Sequence, residues 1–131
     1  MAALDTNVVV RLMVGDDAAQ ARAAQKLVAA EPCTVAPSVL MECEWVLRGA
    51  YALDLPTIDA CLRGFLALKN ISPSDSVLTQ RTLDAYSAGV DFADAIHAAQ
   101  CPDGERFVTF DKAFAKRAPK AGLRGVALLK T

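Results

Sequence analysis

The sequence predicts an α/β fold with a mostly parallel sheet, and three observations lead there. Short apolar runs lack helical period, longer segments rich in helix formers separate them, and cap or turn residues stand where the two kinds meet. The chain has 131 residues, 53% of them hydrophobic, which suits a sizeable core and excludes low-hydrophobicity disorder. No repeat, low-complexity tract or Pro/Gly/Ser linker interrupts it, so residues 1–131 read as a single domain.

The run AAL before Asp5 reads as the first strand. Asp16 is the N-cap candidate for a helix over AAQARAAQKLVAA, a dense run of strong helix formers. Thr34–Ala36 is the second strand, after which Pro37 and Ser38 open a helix over VLMECEWVLRGAY, with Ser38 as its expected N-cap. Thr57 caps IDACLRGFLALK, and the Ile71 region is a weaker strand. Ser74 caps DSVLTQRTLDAYSA, which stops at Gly89, and Asp91 caps FADAIHAAQ, which ends in the turn Cys101-Pro102-Asp103-Gly104. Arg106–Phe110 and Gly125–Leu129 complete the strands. Short buried strands alternating with helices imply right-handed crossovers, with helices on both faces of the sheet.

Several function classes drop out on composition. The longest stretch without a formal charge, Pro32–Met41, is far short of the roughly 18 residues a spanning helix needs. Asp5 and Arg11 interrupt the N-terminal apolar run, the wrong build for a secretory signal, so the expected location is the cytoplasm. Cys33, Cys43, Cys61 and Cys101 show no CxxC spacing and read as inert thiols. With His97 as the single imidazole, a metal site must be built from carboxylates, which points to magnesium or manganese.

Charge is unevenly spread. Residues 112–131 hold six bases and no acid, while the first 111 hold eight bases against fifteen acids. The basic tail is either a solvated helix and loop or a surface that neutralises phosphates of a polyanionic substrate. Composition alone does not choose.

Parallel sheets bind ligands beyond the carboxyl ends of their strands. Asp5 follows the first strand, Glu42 lies about one turn into the helix after the second, Asp94 is in the first turn of the helix capped by Asp91, and Asp111 follows the strand ending at Phe110. Taken singly, Asp5, Asp91 and Asp111 are good N-caps and Asp94 is favoured by a helix dipole. Taken together they are expected to converge. Two like charges 4 Å apart cost about 4 kcal/mol at an effective dielectric near 20, a penalty that a dication removes. Glu42 and Glu44 flank the apolar stripe of their helix symmetrically, and Glu42 is preferred as nearer the helix start. Met41 and Trp45 lie away from that stripe and suggest contact with a second subunit or another protein.

The segments LDTNVVVRL, LMECEWVLR, GVDFADAIHAA and VTFDKAF occur in that order over nearly the whole chain. Together they resemble the PIN-domain ribonucleases, most closely the VapC toxins of toxin–antitoxin pairs. The resemblance implies a PIN-like α/β/α sandwich around a central, mostly parallel sheet. It further implies Mg²⁺- or Mn²⁺-dependent endonuclease action on RNA by metal-activated water, homodimers, and inhibition by a VapB-like antitoxin. Carried over by position, the family's catalytic, metal-holding quartet falls on Asp5, Glu42, Asp94 and Asp111. Asp91 matches a further acid near the metal, Thr109 a small hydroxyl residue two positions before the last Asp, and Asn7 the polar residue after the first acid. Lys112 and Arg117 join Asn7 and Thr109 as candidate substrate-binding or supporting residues. His97, three residues after Asp94, is assigned a structural or surface role.

Two other readings remain beside it. One is a non-catalytic PIN-like interaction module whose acids cap helices and whose Met41/Trp45 surface recruits a partner. The other is a phosphotransfer domain of the haloacid-dehalogenase or receiver type, against which Asn7 stands two residues after Asp5 and no lysine is suitably placed.

Overall fold

The computed structural model describes residues 1–131. They form two compact units, Met1–Ser76 and Val77–Thr131. The first contains β1 (Ala2–Ala3), α1 (Thr6–Met13), α2 (Ala18–Ala30), β2 (Cys33–Val35), α3 (Pro37–Gly49), α4 (Leu55–Leu66) and β3 (Ile71–Pro73). The second contains α5 (Ser76–Ser87, beginning at the boundary), α6 (Phe92–Ala99), β4 (Phe107–Thr109), α7 (Lys112–Arg117), a 3₁₀ turn at Pro119–Ala121 and β5 (Val126–Leu128).

All five expected strands are present and every pairing is parallel. The first unit has the order β1-β2-β3, with Ala2 opposite Cys33 and Cys33 opposite Ile71. The second pairs β4 with β5, Phe107 opposite Val126. The strands are short, and flanking bonds extend their ladders: Leu4 N donates to Thr34 O at 2.9 Å and Leu129 N to Thr109 O at 2.8 Å.

Helix α1 departs from the expected pattern. Val8-Val9-Val10 favours a strand by propensity, yet the Asp5 carboxylate accepts from Thr6 N at 2.8 Å and starts a helix that buries Val9 and Val10. Tertiary burial of that face overrides propensity, and α1 packs against α2, α3 and α4. Helix α7 is the other addition to the five expected helices, capped by Asp111.

Three expected caps are corrected. Asp17, not Asp16, caps α2 by accepting from Gln20 N, because Asp16 is held by Arg11 (3.0 Å) and the Tyr51 hydroxyl (2.6 Å). Asp54, not Thr57, caps α4: Thr57 N donates to Asp54, and Pro56 fits the first turn because it needs no N–H partner there. In α3 the N-cap is Ala36 and Pro37 opens the helix, so Ser38 lies inside it and Glu42 sits in its second turn. Helix α5 also starts later than expected, since Ser74 N is still bonded to Val35 O at 2.9 Å as a continuation of the β3 ladder.

Each unit has its own apolar packing. In the first, Val35, Leu40, Leu47, Ile58 and Leu62 are fully buried. In the second, Ala85, Val90, Ala95, Ala98, Phe114, Ala118, Ala121 and Leu123 form one cluster, with Phe107 and Val126 packed on it from the strands. The many alanines let α6 and α7 lie close to the strands. No helix is long and apolar enough to cross a membrane. All four cysteines are free: Cys33 and Cys43 are buried, while Cys61 in the first unit and Cys101 in the second are half-buried.

Candidate active site

In the first unit Asp5 follows β1 and Glu42 stands on the helix that follows β2, so both belong to the carboxyl edge of that parallel sheet. Both are exposed, as is Asn7 in the first turn of α1. Glu44, the competing glutamate, is 3% exposed and chelated by Arg48, with Nε to Oε2 at 3.0 Å. This engages Glu44 and leaves Glu42 facing solvent, a distinction that periodicity alone could not make. Between the two acids lies Cys43, whose thiol contacts Thr6 O at 3.9 Å. Burial pushes the Cys43 pKa up to about 12, with further upward contributions from Glu42 and Asp5.

That shift predicts an alkaline weakness. An unfolded Cys43 loses its proton near its ordinary value of 9, whereas the folded thiol keeps it to about 12. The native state therefore binds more protons in that window, and stability falls as pH rises, by up to about 1.4 kcal/mol per unit. Urea midpoints at about pH 8 and about pH 10 should drop more for the native chain than for Cys43→Ala, which lacks the titrating group.

In the second unit Asp111 follows β4 and caps α7, accepting from Phe114 N at 3.0 Å, while Thr109 Oγ1 accepts from Asp111 N at 3.1 Å. Asp91 caps α6 by accepting from Asp94 N at 3.2 Å. Asp94 is half-buried in the first turn, and its pKa is raised by burial, then by the Asp91 and Asp111 carboxylates, with His97 opposing. Asp94 therefore feels the charge of both neighbouring acids. The three acids line a cavity of about 180 Å³ with Arg117, whose Nη1 donates to Gly89 O at 2.7 Å. Lys112 is exposed at the start of α7, and His97 is exposed on α6.

The sequence reading took Gly89 only as a helix stop. Its φ is +96°, and a Cβ there would stand 2.9 Å from Arg117 Nη1, so glycine both turns the chain and admits the guanidinium.

No group of three or more Asp, Glu, His or Cys side chains that could hold a metal ion is present. The donor chemistry nevertheless suits a hard dication: the acids supply oxygen only, and Asp94 is destabilised by neighbouring negative charge that a cation would relieve. Asp5, Asp91 and Asp111 each give one carboxylate oxygen to a helix N–H, which fixes the group and leaves the second oxygen for another partner.

Compared with known proteins, residues 2–120 match the PIN domain family. No match is found among curated proteins or among solved structures.

Proposed function

The chain belongs to the PIN domain family, whose members are generally metal-dependent nucleases, and from that premise we propose that it is an endoribonuclease. In this reading it is the toxin of a VapBC-type pair, acts in the cytoplasm as a homodimer, and is held in check by a VapB-like antitoxin. The observation that carries the nuclease assignment is the crowding of Asp94 by Asp91 and Asp111 beside Arg117 around a cavity of about 180 Å³, where a cation would relieve the crowded negative charge. One family match running through both units supports treating residues 1–131 as one domain.

Asp5, Glu42, Asp94 and Asp111 are the proposed ligands of magnesium or manganese, with Asp91 as an accessory. Such an ion, when bound, supplies Lewis acidity and neutralises charge on the scissile phosphate. The chain's own groups do the rest. The caps at Asp5 and Asp111 hold those carboxylates in one rotamer, Thr109 fixes the backbone at Asp111, and Arg117 brings a permanent positive charge to the cavity rim. Lys112 adds charge for the RNA backbone, and Asn7, exposed in the first turn of α1 beside Asp5, is the proposed supporting residue there.

Asp5→Asn and Glu42→Gln test the assignment on the purified protein with RNA and manganese, against a chelator control. Asn is as good an N-cap as Asp, so α1 keeps its start and the fold is retained. Cleavage should fall by at least about 100-fold in either variant. In cells, growth arrest on expression should disappear with Asp5→Asn, and co-expression of a short upstream open reading frame should relieve it for the native chain. Trp45, 66% exposed, favours a second reading as an interaction module. Unchanged RNA-directed activity in Asp5→Asn would support that one instead.

A further inference from the structure

The second unit has another concavity, a groove of about 720 Å³ at the N-terminal ends of β4 and β5. Arg81 of α5, Arg106 just before β4 and Arg124 just before β5 line it, and all three are exposed. The arginines in ion pairs are Arg11, Arg48 and Arg63, all in the first unit. None of the groove arginines has a carboxylate within ion-pair distance, although Asp103 and Glu105 line the same groove. Three arginines against two carboxylates leave the groove lining net positive by one, and with none of the guanidiniums in an ion pair, an anion between them gains from all three.

The groove is kept open by backbone. Gly104, Gly122 and Gly125 line it at φ +85°, +85° and +80°, and a Cβ on Gly125 would stand 3.0 Å from Glu105 O. No aromatic ring is among its walls, so base or ring stacking is not its mode of recognition. A planar guanidinium matches two phosphate oxygens at once, and three of them suit a ligand with several phosphates. β4 and Phe110 separate Arg106 from Asp111, five residue steps or about 16 Å along the chain.

We infer that this groove is a backbone subsite: Arg81, Arg106 and Arg124 hold phosphodiester groups of single-stranded RNA a few nucleotides from the bond that is cut. The choice of RNA rests on the nuclease reading, while the anion specificity rests on the groove itself. The subsite sets affinity and reach but takes no part in bond cleavage.

The test compares the full chain with the combined Arg81→Gln, Arg106→Gln, Arg124→Gln variant, using fluorescence anisotropy of a labelled oligouridylate across a salt series. A control variant, Arg22→Gln, Lys26→Gln, Lys69→Gln, removes the same charge from exposed positions of the first unit. The groove variant should lose about two units of slope in log affinity against log salt, at about 0.7 per phosphate contact, and its KM for the oligomer should rise at least about tenfold with kcat kept. The control should keep both slope and KM. Equal losses in the two variants, or none in the groove variant, overturn the inference. So does a groove that captures a polyglutamate peptide while RNA affinity stays unchanged on mutation. Arg→Lys at the same three positions guards against misfolding of the Gln set. It keeps charge and slope but loses affinity, because the bidentate contact is gone. If the native chain binds oligouridylate through the groove without cleaving it, the nuclease reading fails and the subsite stands.

Discussion

Asp94→Asn should eliminate metal-dependent RNA cleavage while leaving the protein as stable as before or more so. The two effects have one origin. Burial and the Asp91 and Asp111 carboxylates disfavour ionised Asp94 in the folded state, so its raised pKa is a destabilising contribution at neutral pH. The sign follows: a carboxyl whose folded pKa is raised costs stability above that pKa, and a neutral amide removes the cost. Asp94 N, which completes the α6 cap, is backbone and survives the substitution. A ligand carboxylate contributes several kcal/mol to holding the ion against the reacting phosphate, which corresponds to roughly 10²–10³ in rate. Manganese at about 100 times its dissociation constant should stabilise the native chain by about 2.7 kcal/mol and raise its melting temperature, and this rise should vanish in the variant. Lost activity together with a lower melting temperature and an undiminished manganese response would contradict the assignment.

Phe92→Ala should act in the opposite way, removing activity by removing the fold around the acids. Phe92 is 1% exposed and meets Tyr86 edge-on, with centroids 5.1 Å apart and planes at 76°. It directly follows Asp91 and anchors the first turn of α6, so its packing fixes where Asp91 and Asp94 stand. Truncation of a buried phenylalanine costs about 3–5 kcal/mol, a large share of the 5–15 kcal/mol that holds a typical domain. The melting temperature should fall by roughly 10–20 °C. Activity measured well below the new transition should recover in part with Phe92→Leu, which refills much of the volume. Asp94→Asn has no such rescue, and the pair of variants thus separates chemistry from packing.

Much of this architecture can be read from one-dimensional signals, and the exceptions share a cause. The strands at Thr34, Arg106 and Gly125 are apolar runs too short and aperiodic for helices, and they pair as expected. Asp91 as the α6 cap was legible because nothing else competes for it. Asp16 and Asp17 are locally equivalent, and only Arg11 and Tyr51, one of them 35 positions away, decide between them. Ser74 looks like a cap until its own N–H is drawn into the β3 ladder, donating to Val35 O. The valines of α1 mislead for the same reason, since their helical state depends on what they bury. Among the candidate site residues, the chain positions of the acids follow from strand ends, and so does the preference for Glu42 over Glu44, whereas the Arg48 chelate that engages Glu44 is seen only in the structure. The arginine groove was invisible because its three residues are scattered over 43 positions and carry no motif.

The cysteines described above give the molecule a built-in pair of attachment points. Two sulfurs are buried, and the two half-buried ones fall one to each half, Cys61 on α4 and Cys101 on the wall of the arginine groove. Maleimide dyes can therefore tag both halves of the native chain with no cysteine added or removed. Energy transfer between the dyes then gives a distance readout for the RNA titrations proposed above.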